Sequence, residues 1–172
     1  MNAVFTETAV QELADRQAIT DLLYRYCRAM DRIDHELGYS IWHADGTADY
    51  GANIYQGSGY GFVDHVCEQH RKTLTHSHQM TNIIITLNGD TAASEGYHIA
   101  ALRIMRGEQE HEITVRGRYI DTWSKRAGKW GIDHRLTIRD FDDMRPVTRM
   151  SSDAIGSRDR NDPSYAALDF TS

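Results

Sequence analysis

The second half of the sequence is a succession of long strand-like segments separated by tight-turn signals. After His76, the segment "TNIIITL" runs into Asn88-Gly89, a dipeptide typical of two-residue β-hairpins. The segments "ASEGYHIAALRIM", "EITVRGRYIDTWSKR" and "KWGIDHRLTIRDF" follow, and the last two are joined across "RAGK". Because strands joined by short turns pair antiparallel, this half of the chain predicts a meander of about four strands.

The first half of the sequence predicts helices. Thr8 and Gln11 fit a capping box that would begin the first helix. The apolar stripe of this helix consists of Ile19, Leu22, Leu23, Tyr26, Cys27 and Met30, with Asp31 at its edge near the helix end. Further helices are predicted at about residues 36–42 and 59–72, the latter with Val66 and Cys67 turned inward. Helices followed by a meander are typical of an α+β fold, in which the helices cover one face of a curved sheet.

The composition is that of an ordinary globular protein. With 172 residues and 40% hydrophobic content, the chain predicts one domain over 1–146. A polar C-terminal extension follows over 147–172, and we expect it either to be flexible or to wrap a partner. The net charge of −6 argues against nucleic acid or an anionic membrane as the main partner.

Hydropathy and cysteine content indicate the compartment of the protein and whether it crosses a membrane. No apolar run approaches the roughly 18 residues that would span a bilayer. The N-terminal residues lack the basic start and apolar core of a secretory signal. We therefore expect a cytoplasmic protein in which Cys27 and Cys67 are reduced thiols.

The segment "LTHSHQMTN" holds the most conspicuous polar cluster of the sequence. On a strand, His76, His78 and Asn82 would share one face, because side chains alternate. The two histidines could bind a metal with Glu95 or His98 from the next strand. However, no His-Glu-x-x-His motif and no cysteine cluster accompany them, so we expect no metal site.

Acid–base chemistry is a better interpretation of this cluster. A catalytic histidine needs a carboxylate that fixes its tautomer and stabilises its protonated form, and Asp31 is the best candidate. Asp31 could equally cap a turn or be solvated. Tyr26 and Tyr50 could be core residues rather than functional ones. Arg135 has polar neighbours on its strand face, which either meets solvent or lines a polar pocket.

Other familiar catalytic motifs are missing from the sequence. It contains no G-x-S-x-G of serine hydrolases and no Gly-rich loop for phosphates or dinucleotides. Cys67 as a nucleophile is disfavoured, because it lies on an inward helix face where a packed thiol is expected.

Five segments together resemble the SnoaL-like branch of the nuclear-transport-factor-2-like superfamily. They are "AITDLLYRYCRAMDRID", "IWHADGTADYG", "THSHQMTNIIITLNGDTAASEGY", "GRYIDTW" and "GKWGIDHRLTIRD", in the family's order over about residues 10–142. The resemblance implies a cone-shaped, cystatin-like α+β barrel. In such a fold, N-terminal helices pack on a strongly curved, mostly antiparallel sheet around a deep apolar pocket.

Within this family the chain is similar to the dehydratases and dehydrohalogenases, which include scytalone dehydratase, bile-acid dehydratase and hexachlorocyclohexane dehydrochlorinase. This similarity implies an Asp–His dyad that works without metal or cofactor, with Asp31 in "AMDRID" and His78 in "HQMTN" as its members. The expected catalytic residues are Asp31, His78, Tyr26 and Arg135; the expected substrate-binding residues are Tyr50, His98, Asn82 and Tyr119. His76 is assigned to the pocket mouth or to a structural role.

The resemblance therefore predicts a cofactor-independent lyase that acts on a hydrophobic cyclic or aromatic small molecule. A polyketide cyclase or steroid-type isomerase is an alternative on the same fold. A ligand-binding module without catalysis, or a structural subunit similar to the β subunit of aromatic-ring dioxygenases, is another. The family also implies a homo-oligomer, either a trimer or a dimer.

Overall fold

A computed structural model describes residues 6–151 and 156–168 of the chain. Its helices are α1 (Glu7–Arg32), α2 (His35–Tyr39), α3 (Gly59–Arg71) and α4 (Pro163–Leu168). Its strands are β1 (Trp42–Asp49), β2 (Gln56–Ser58), β3 (Thr75–Asn88), β4 (Thr91–Arg106), β5 (Gln109–Arg126) and β6 (Lys129–Pro146). Within the described residues, no helix is long and apolar enough to cross a membrane.

The strands form one mixed sheet in the order β2-β1-β6-β5-β4-β3. All neighbours are antiparallel except β1 and β6, which run parallel. The predicted meander is confirmed as β3 to β6, and β1 and β2 extend it at one edge. Asn88 pairs with Thr91, so the first hairpin turns at Gly89 and Asp90, one residue later than predicted. The hairpin between β5 and β6 turns at Ala127-Gly128, where both residues have positive φ, as a type I′ turn requires.

The N-cap of helix α1 lies two residues before the predicted cap, and the helix ends at a residue with a left-handed backbone. Thr6, not Thr8, is the N-cap: its Oγ1 accepts from the amide of Ala9 at 3.2 Å, while Thr8 lies inside the first turn. At the other end, Ile33 adopts a left-handed conformation with φ of 52° and stops the helix. Asp31 therefore lies in the last turn of α1, facing β3.

The hydrophobic core lies between the helices and one face of the sheet. The predicted stripe of α1 packs mainly against β3, and all of its residues are buried except Leu22, which is partly buried. From the sheet and α3, the core adds Trp42, Phe62, Val63, Trp123 and Ile132. Burial raises the pKa of Cys27 to about 12 and that of Cys67 to about 11, so both stay protonated thiols.

The described part of the C-terminal extension folds back onto its own chain. Arg158 donates from Nη1 to the carbonyl of His70 at 2.8 Å and to Thr73 Oγ1 at 3.1 Å. Tyr165 donates its hydroxyl proton to Asp34 Oδ2 at 2.6 Å. Residues 156–168 thus fasten the end of α1 to the end of α3, next to the start of β3.

Candidate active site

A cavity of about 660 Å³ lies between the helices and the sheet. Its inner wall is polar and aromatic and includes Tyr26, Tyr50, His70, His78, His98, Tyr119 and Thr137. Its outer wall is aliphatic, from half-buried side chains of β4 and β5: Leu102, Ile104, Ile113 and Val115. The cavity can therefore surround an apolar body while presenting hydrogen-bonding groups to one end of it.

Asp31 and His78 form a close pair at this inner wall. His78 Nδ1 lies 2.7 Å from Asp31 Oδ1, and the backbone amide of His78 donates to the same carboxylate at 2.9 and 3.1 Å. Because β3 is an edge strand, this amide has no strand on its outer side, and the Asp31 carboxylate takes the place of a ladder partner. Asp31 thus fixes both the backbone and the ring of His78.

The hydrogen bond to Asp31 determines which nitrogen of His78 is available. A neutral imidazole that donates from Nδ1 to a carboxylate carries its lone pair on Nε2. None of the residues that the structure describes hydrogen-bonds this nitrogen, and the ring lines the cavity. The pair is therefore arranged for proton transfer between His78 Nε2 and a molecule in the cavity.

His76 has a different environment from its neighbour His78. It is buried, its Nε2 donates to the carbonyl of Met30 at 2.9 Å, and its Nδ1 contacts Thr73 Oγ1 at 3.1 Å. Both ring nitrogens are thus occupied in tying the end of α1 to β3, which is a structural role. Within the described residues, no group of three or more His, Cys, Asp or Glu side chains is arranged to hold a metal ion.

Three tyrosines cover the inner wall of the cavity. The hydroxyls of Tyr26 and Tyr50 are 2.8 Å apart, and Tyr50 stacks on Phe62 with ring centroids 3.7 Å apart. Tyr26 meets Tyr119 edge to face. Burial raises the pKa of Tyr26 and Tyr119 well above the ordinary value and also raises that of Tyr50. All three phenols therefore stay neutral and can donate hydrogen bonds to a substrate oxygen.

Arg135 lies behind the tyrosines and outside the cavity wall. It is fully buried and binds Asp121 through two bonds, Nε–Oδ1 at 2.7 Å and Nη2–Oδ2 at 2.8 Å. Its guanidinium carbon lies 4.3 Å from the ring centroid of Tyr26 and 4.1 Å from that of Tyr119. Direct contact between Arg135 and substrate is thus not supported, because the pairing of β5 and β6 turns this side chain into the core.

Asp121 is a site residue that the sequence analysis missed. It pairs directly across the sheet with Arg135. Its position in "GRYIDTW", two residues from Tyr119 and two from Trp123, places a carboxylate on a strand face that is otherwise aromatic. A charged residue in such a row is a signal that a buried partner is required.

His98 lines the cavity, and its predicted role in substrate binding stays a prediction. Its ring is buried and stacks on Tyr119 with centroids 4.1 Å apart. Burial, assisted by the charge of Arg135, lowers the pKa of His98 to about 4, so the imidazole is neutral at physiological pH. Neither ring nitrogen has a hydrogen-bond partner among the described residues, and the same holds for the buried hydroxyl of Thr137.

His70 of α3 is a second histidine of the cavity wall and was not predicted. Its ring centroid lies 5.0 Å from that of His78, and burial lowers its pKa to about 3. Its Nδ1 is buried without a hydrogen-bond partner among the described residues. The signal was helical spacing, since His70 follows the inward-facing Val66 and Cys67 by four and three residues.

Asn82 is not brought to the cavity. It is exposed, has a φ of 49°, and lies in a β-bulge where the pairing of β3 with β4 shifts between Thr81 and Ile84. A bulge inserts an extra residue and changes which face the following side chains occupy. The expectation that Asn82 shares a face with His76 and His78 is therefore wrong, and its substrate-binding role is withdrawn.

Solved structures with the same fold include a hexachlorocyclohexane dehydrochlorinase (LinA) of type 2. It is 20% identical, with 86% of this chain and 98% of that chain covered and a TM-score of 0.68. A Novosphingobium aromaticivorans protein assigned as a scytalone dehydratase is 19% identical (84% and 95% covered, TM-score 0.67). A nuclear-transport-factor-2-like superfamily protein from Salmonella enterica serovar Typhimurium is 18% identical (80% and 96% covered, TM-score 0.61). At these identities the likeness shows the fold.

Sequence comparison identifies the family. A search of curated proteins gives no significant match to this chain. The profile of the SnoaL-like domain family, in contrast, matches residues 11–136. This match covers most of the chain and includes most of α1, the meander up to the middle of β6, and the Asp31–His78 pair. The protein therefore belongs to the SnoaL-like domain family.

Proposed function

We propose that the protein is a lyase that eliminates water or halide from a hydrophobic cyclic or aromatic small molecule, without a cofactor. The proposal rests above all on the Asp31–His78 contact of 2.7 Å, with the second ring nitrogen of His78 turned to an enclosed cavity. The neighbours named as a dehydrochlorinase and assigned as a scytalone dehydratase support this reaction type at the level of the family.

The proposed reaction begins with proton abstraction. His78 Nε2 takes a proton from carbon, the C–H electron pair forms the new double bond, and the leaving group departs from the adjacent carbon with its bonding electrons. Halide leaves as the anion, whereas hydroxyl leaves as water after it takes a proton from the imidazolium. Asp31 retains the hydrogen bond from Nδ1 and balances the charge of the imidazolium. A positioned general base contributes about 10²–10⁴-fold to the rate. Enclosure of the substrate in the cavity has to supply much of the remainder by orientation.

Tyr26 and Tyr50 are the proposed electrophilic partners. Their neutral hydroxyls, 2.8 Å apart, can donate to a carbonyl oxygen or to a departing oxygen. Arg135 acts through them rather than on the substrate, because its charge lies against the ring of Tyr26. Tyr119 and His98 line the same wall and are proposed to bind the substrate.

A substrate screen with matched variants tests this proposal. The wild-type protein is incubated with cyclic alcohols, ketones and halides, and loss of water or halide is detected by mass spectrometry and halide release. His78→Gln should abolish turnover while its circular dichroism and melting temperature stay near those of wild type. His134→Asn, an exposed histidine of β6, is the control and should retain full activity. Normal turnover by His78→Gln would refute the assignment of the base.

An isomerase or cyclase is the second candidate, favoured by the Tyr26–Tyr50 pair. Two adjacent phenols can stabilise an enolate oxygen whether or not a group leaves afterwards. In that case the screen would find a product of unchanged mass whose formation still depends on His78. If ligands bind and no product forms under any condition, the protein is a binding module.

Self-association is also proposed, as the family implies a dimer or trimer. Large apolar side chains that are exposed on the strands include Ile84, Tyr97, Leu136 and Phe141. Burial of such side chains between copies would remove them from water. Light scattering coupled to size exclusion measures the assembly, and a monomer at micromolar concentration would contradict it.

A further inference from the structure

Buried polar atoms without hydrogen-bond partners are concentrated around the cavity. Among the described residues, such side-chain atoms belong to Arg32, Trp42, His70, His98, Arg135 and Thr137. His70, His98 and Thr137 all line the cavity. An unsatisfied buried polar group costs about 1–3 kcal/mol, so folded proteins keep few of them. Three in one cavity wall indicate groups that a ligand satisfies.

The first group, at the inner end, is formed by His98 and Thr137. His98 is 5% exposed, and its neutral ring offers one donor and one acceptor. Gly117 of β5 makes room for this ring, because a Cβ there would lie 2.8 Å from His98 Nε2. Thr137 on β6 adds a hydroxyl that can donate or accept. A substrate hydroxyl, which is both donor and acceptor, matches this group, whereas a carbon-bound halogen donates nothing.

The second group is His70, on the other side of His78. From α3, the ring of His70 packs next to two residues of β3, His76 and His78, with ring centroids 4.2 and 5.0 Å away. His98, in contrast, pairs across the sheet with Met80. Residues two apart on a strand are separated by about 7 Å. His70, next to His76, and His98, opposite Met80, therefore lie on either side of His78 along β3. The ring of His70 thus lines a part of the cavity away from His98, and its Nδ1 lacks a hydrogen-bond partner there among the described residues.

We propose that His70 forms a second polar subsite, opposite His98, that selects substrates carrying oxygen functions on both sides of the reacting carbon. The substrate class is then a polyoxygenated ring compound, phenolic or alicyclic, with an apolar body against Leu102, Ile113 and Val115. Halogenated hydrocarbons without oxygen are excluded as preferred substrates. This inference rests on the proposed function, because it takes His78 as the base. The subsite itself can be tested by ligand binding without turnover.

Equilibrium binding of three naphthalene probes tests the subsite without turnover. The probes are 2,7-dihydroxynaphthalene, 2-naphthol and 2-chloronaphthalene, titrated into the full chain by fluorescence or calorimetry. Each matched hydroxyl should improve affinity by about tenfold, so the diol should bind best and the chloride worst. If wild type binds 2-chloronaphthalene as tightly as the diol, the proposal is overturned before any variant is made.

Variants then assign the second hydroxyl to His70. His70→Phe should reduce the preference for the diol over 2-naphthol from about tenfold to near unity, and His70→Leu, which also removes the hydrogen-bonding ring, replaces it if the Phe variant does not fold. His134→Asn should keep the wild-type preference. An unchanged preference in a folded His70 variant would refute the subsite. His78→Gln separates the two hypotheses: it should lose turnover and keep the diol preference, so a failure of the lyase proposal leaves the binding result readable.

Discussion

Two of the protein's aspartate pairs differ in a way that separates the reactive part of the cavity from its support. Asp31–His78 and Asp121–Arg135 have the same shortest separation of 2.7 Å. The side chains of the first pair are 17% and 8% exposed and border the cavity, whereas those of the second are fully buried. The first pair contains an imidazole, a group that can accept and return a proton in catalysis, whereas the guanidinium of the second keeps its charge.

The surroundings of the two pairs differ in the same way, since the first pair faces the cavity and the second faces the core. His78 keeps one ring nitrogen for a molecule in the cavity, whereas Arg135 places its guanidinium against the rings of Tyr26 and Tyr119. The first pair can therefore change its charge during a reaction. The second maintains a constant positive charge behind the phenols, where it favours hydrogen-bond donation by the hydroxyl of Tyr26.

The largest expected effect comes from breaking the first pair. Asp31→Asn preserves the size of the side chain but removes the charge that balances the imidazolium. We expect kcat to fall by about 10²–10⁴-fold, with a change in melting temperature of a few degrees at most. The measurement is turnover of the substrate found in the screen, alongside a thermal melt. A loss of folding comparable to the loss of activity would show that this pair is structural, like the second.

Breaking the second pair should produce the opposite result, with stability as the main loss. Asp121→Asn leaves a fully buried guanidinium without its counter-charge, and we expect the free energy of unfolding to fall by about 3–5 kcal/mol. Urea denaturation measures this change.

A double variant sharpens the same comparison. Asp121→Leu with Arg135→Met removes both charges, so most of the lost stability should return. Activity should remain reduced, because the positive charge beside Tyr26 is gone. Full activity in the double variant would show that Arg135 has no part in catalysis, and would leave it a core residue.

Acid should weaken the cavity through its two neutral histidines. Burial lowers the pKa of His70 to about 3 and that of His98 to about 4, from an ordinary value of 6.5. Around His70, the charges of His78, His76 and Arg158 add to this effect; around His98, Arg135 and His78 add to it, and Asp140 opposes it. Between pH 6.5 and about 4, the unfolded chain thus binds protons that the folded chain excludes. Stability should be full above pH 6.5 and should fall on acidification by about 1.4 kcal/mol per pH unit for each histidine.

Chemical denaturation at a series of pH values measures this slope. His98→Asn should reduce it by the share of one histidine, while His134→Asn, in an exposed position, should leave it unchanged. A stability that is constant from pH 7 to pH 5 would show that the two rings are hydrated in the folded protein.

The fold was predictable because its signals are local. Turn residues and alternating strands define the meander, and the stripe from Ile19 to Met30 defines the buried face of α1. Asp31 and His78 were paired through family resemblance, and the structure brings them together, although their catalytic role stays a prediction. The Asp121–Arg135 pair was missed because it depends on the register of β5 and β6, which the sequence pattern does not specify.

Two other features depended on details that periodicity does not contain. Asn82 was misplaced because one bulge in β3 changes the alternation of its side chains. The C-terminal extension is polar, and composition alone cannot distinguish a free tail from one held by specific bonds to Asp34 and His70.

The smallest expected effect concerns this C-terminal segment and its support of His70, next to the first pair. Arg158→Gln removes the charged donor to the His70 carbonyl and to Thr73 Oγ1, but leaves the bond from Tyr165 to Asp34 in place. We expect the free energy of unfolding to fall by about 1–2 kcal/mol, because hydrogen bonds from a charged donor are lost. If the segment only covers the surface, kcat and KM stay as in wild type. If it holds His70 against the cavity, KM for an oxygen-bearing substrate rises while kcat changes little. Arg149→Gln, an exposed arginine that binds Glu110 elsewhere, is the matched control and should change neither constant.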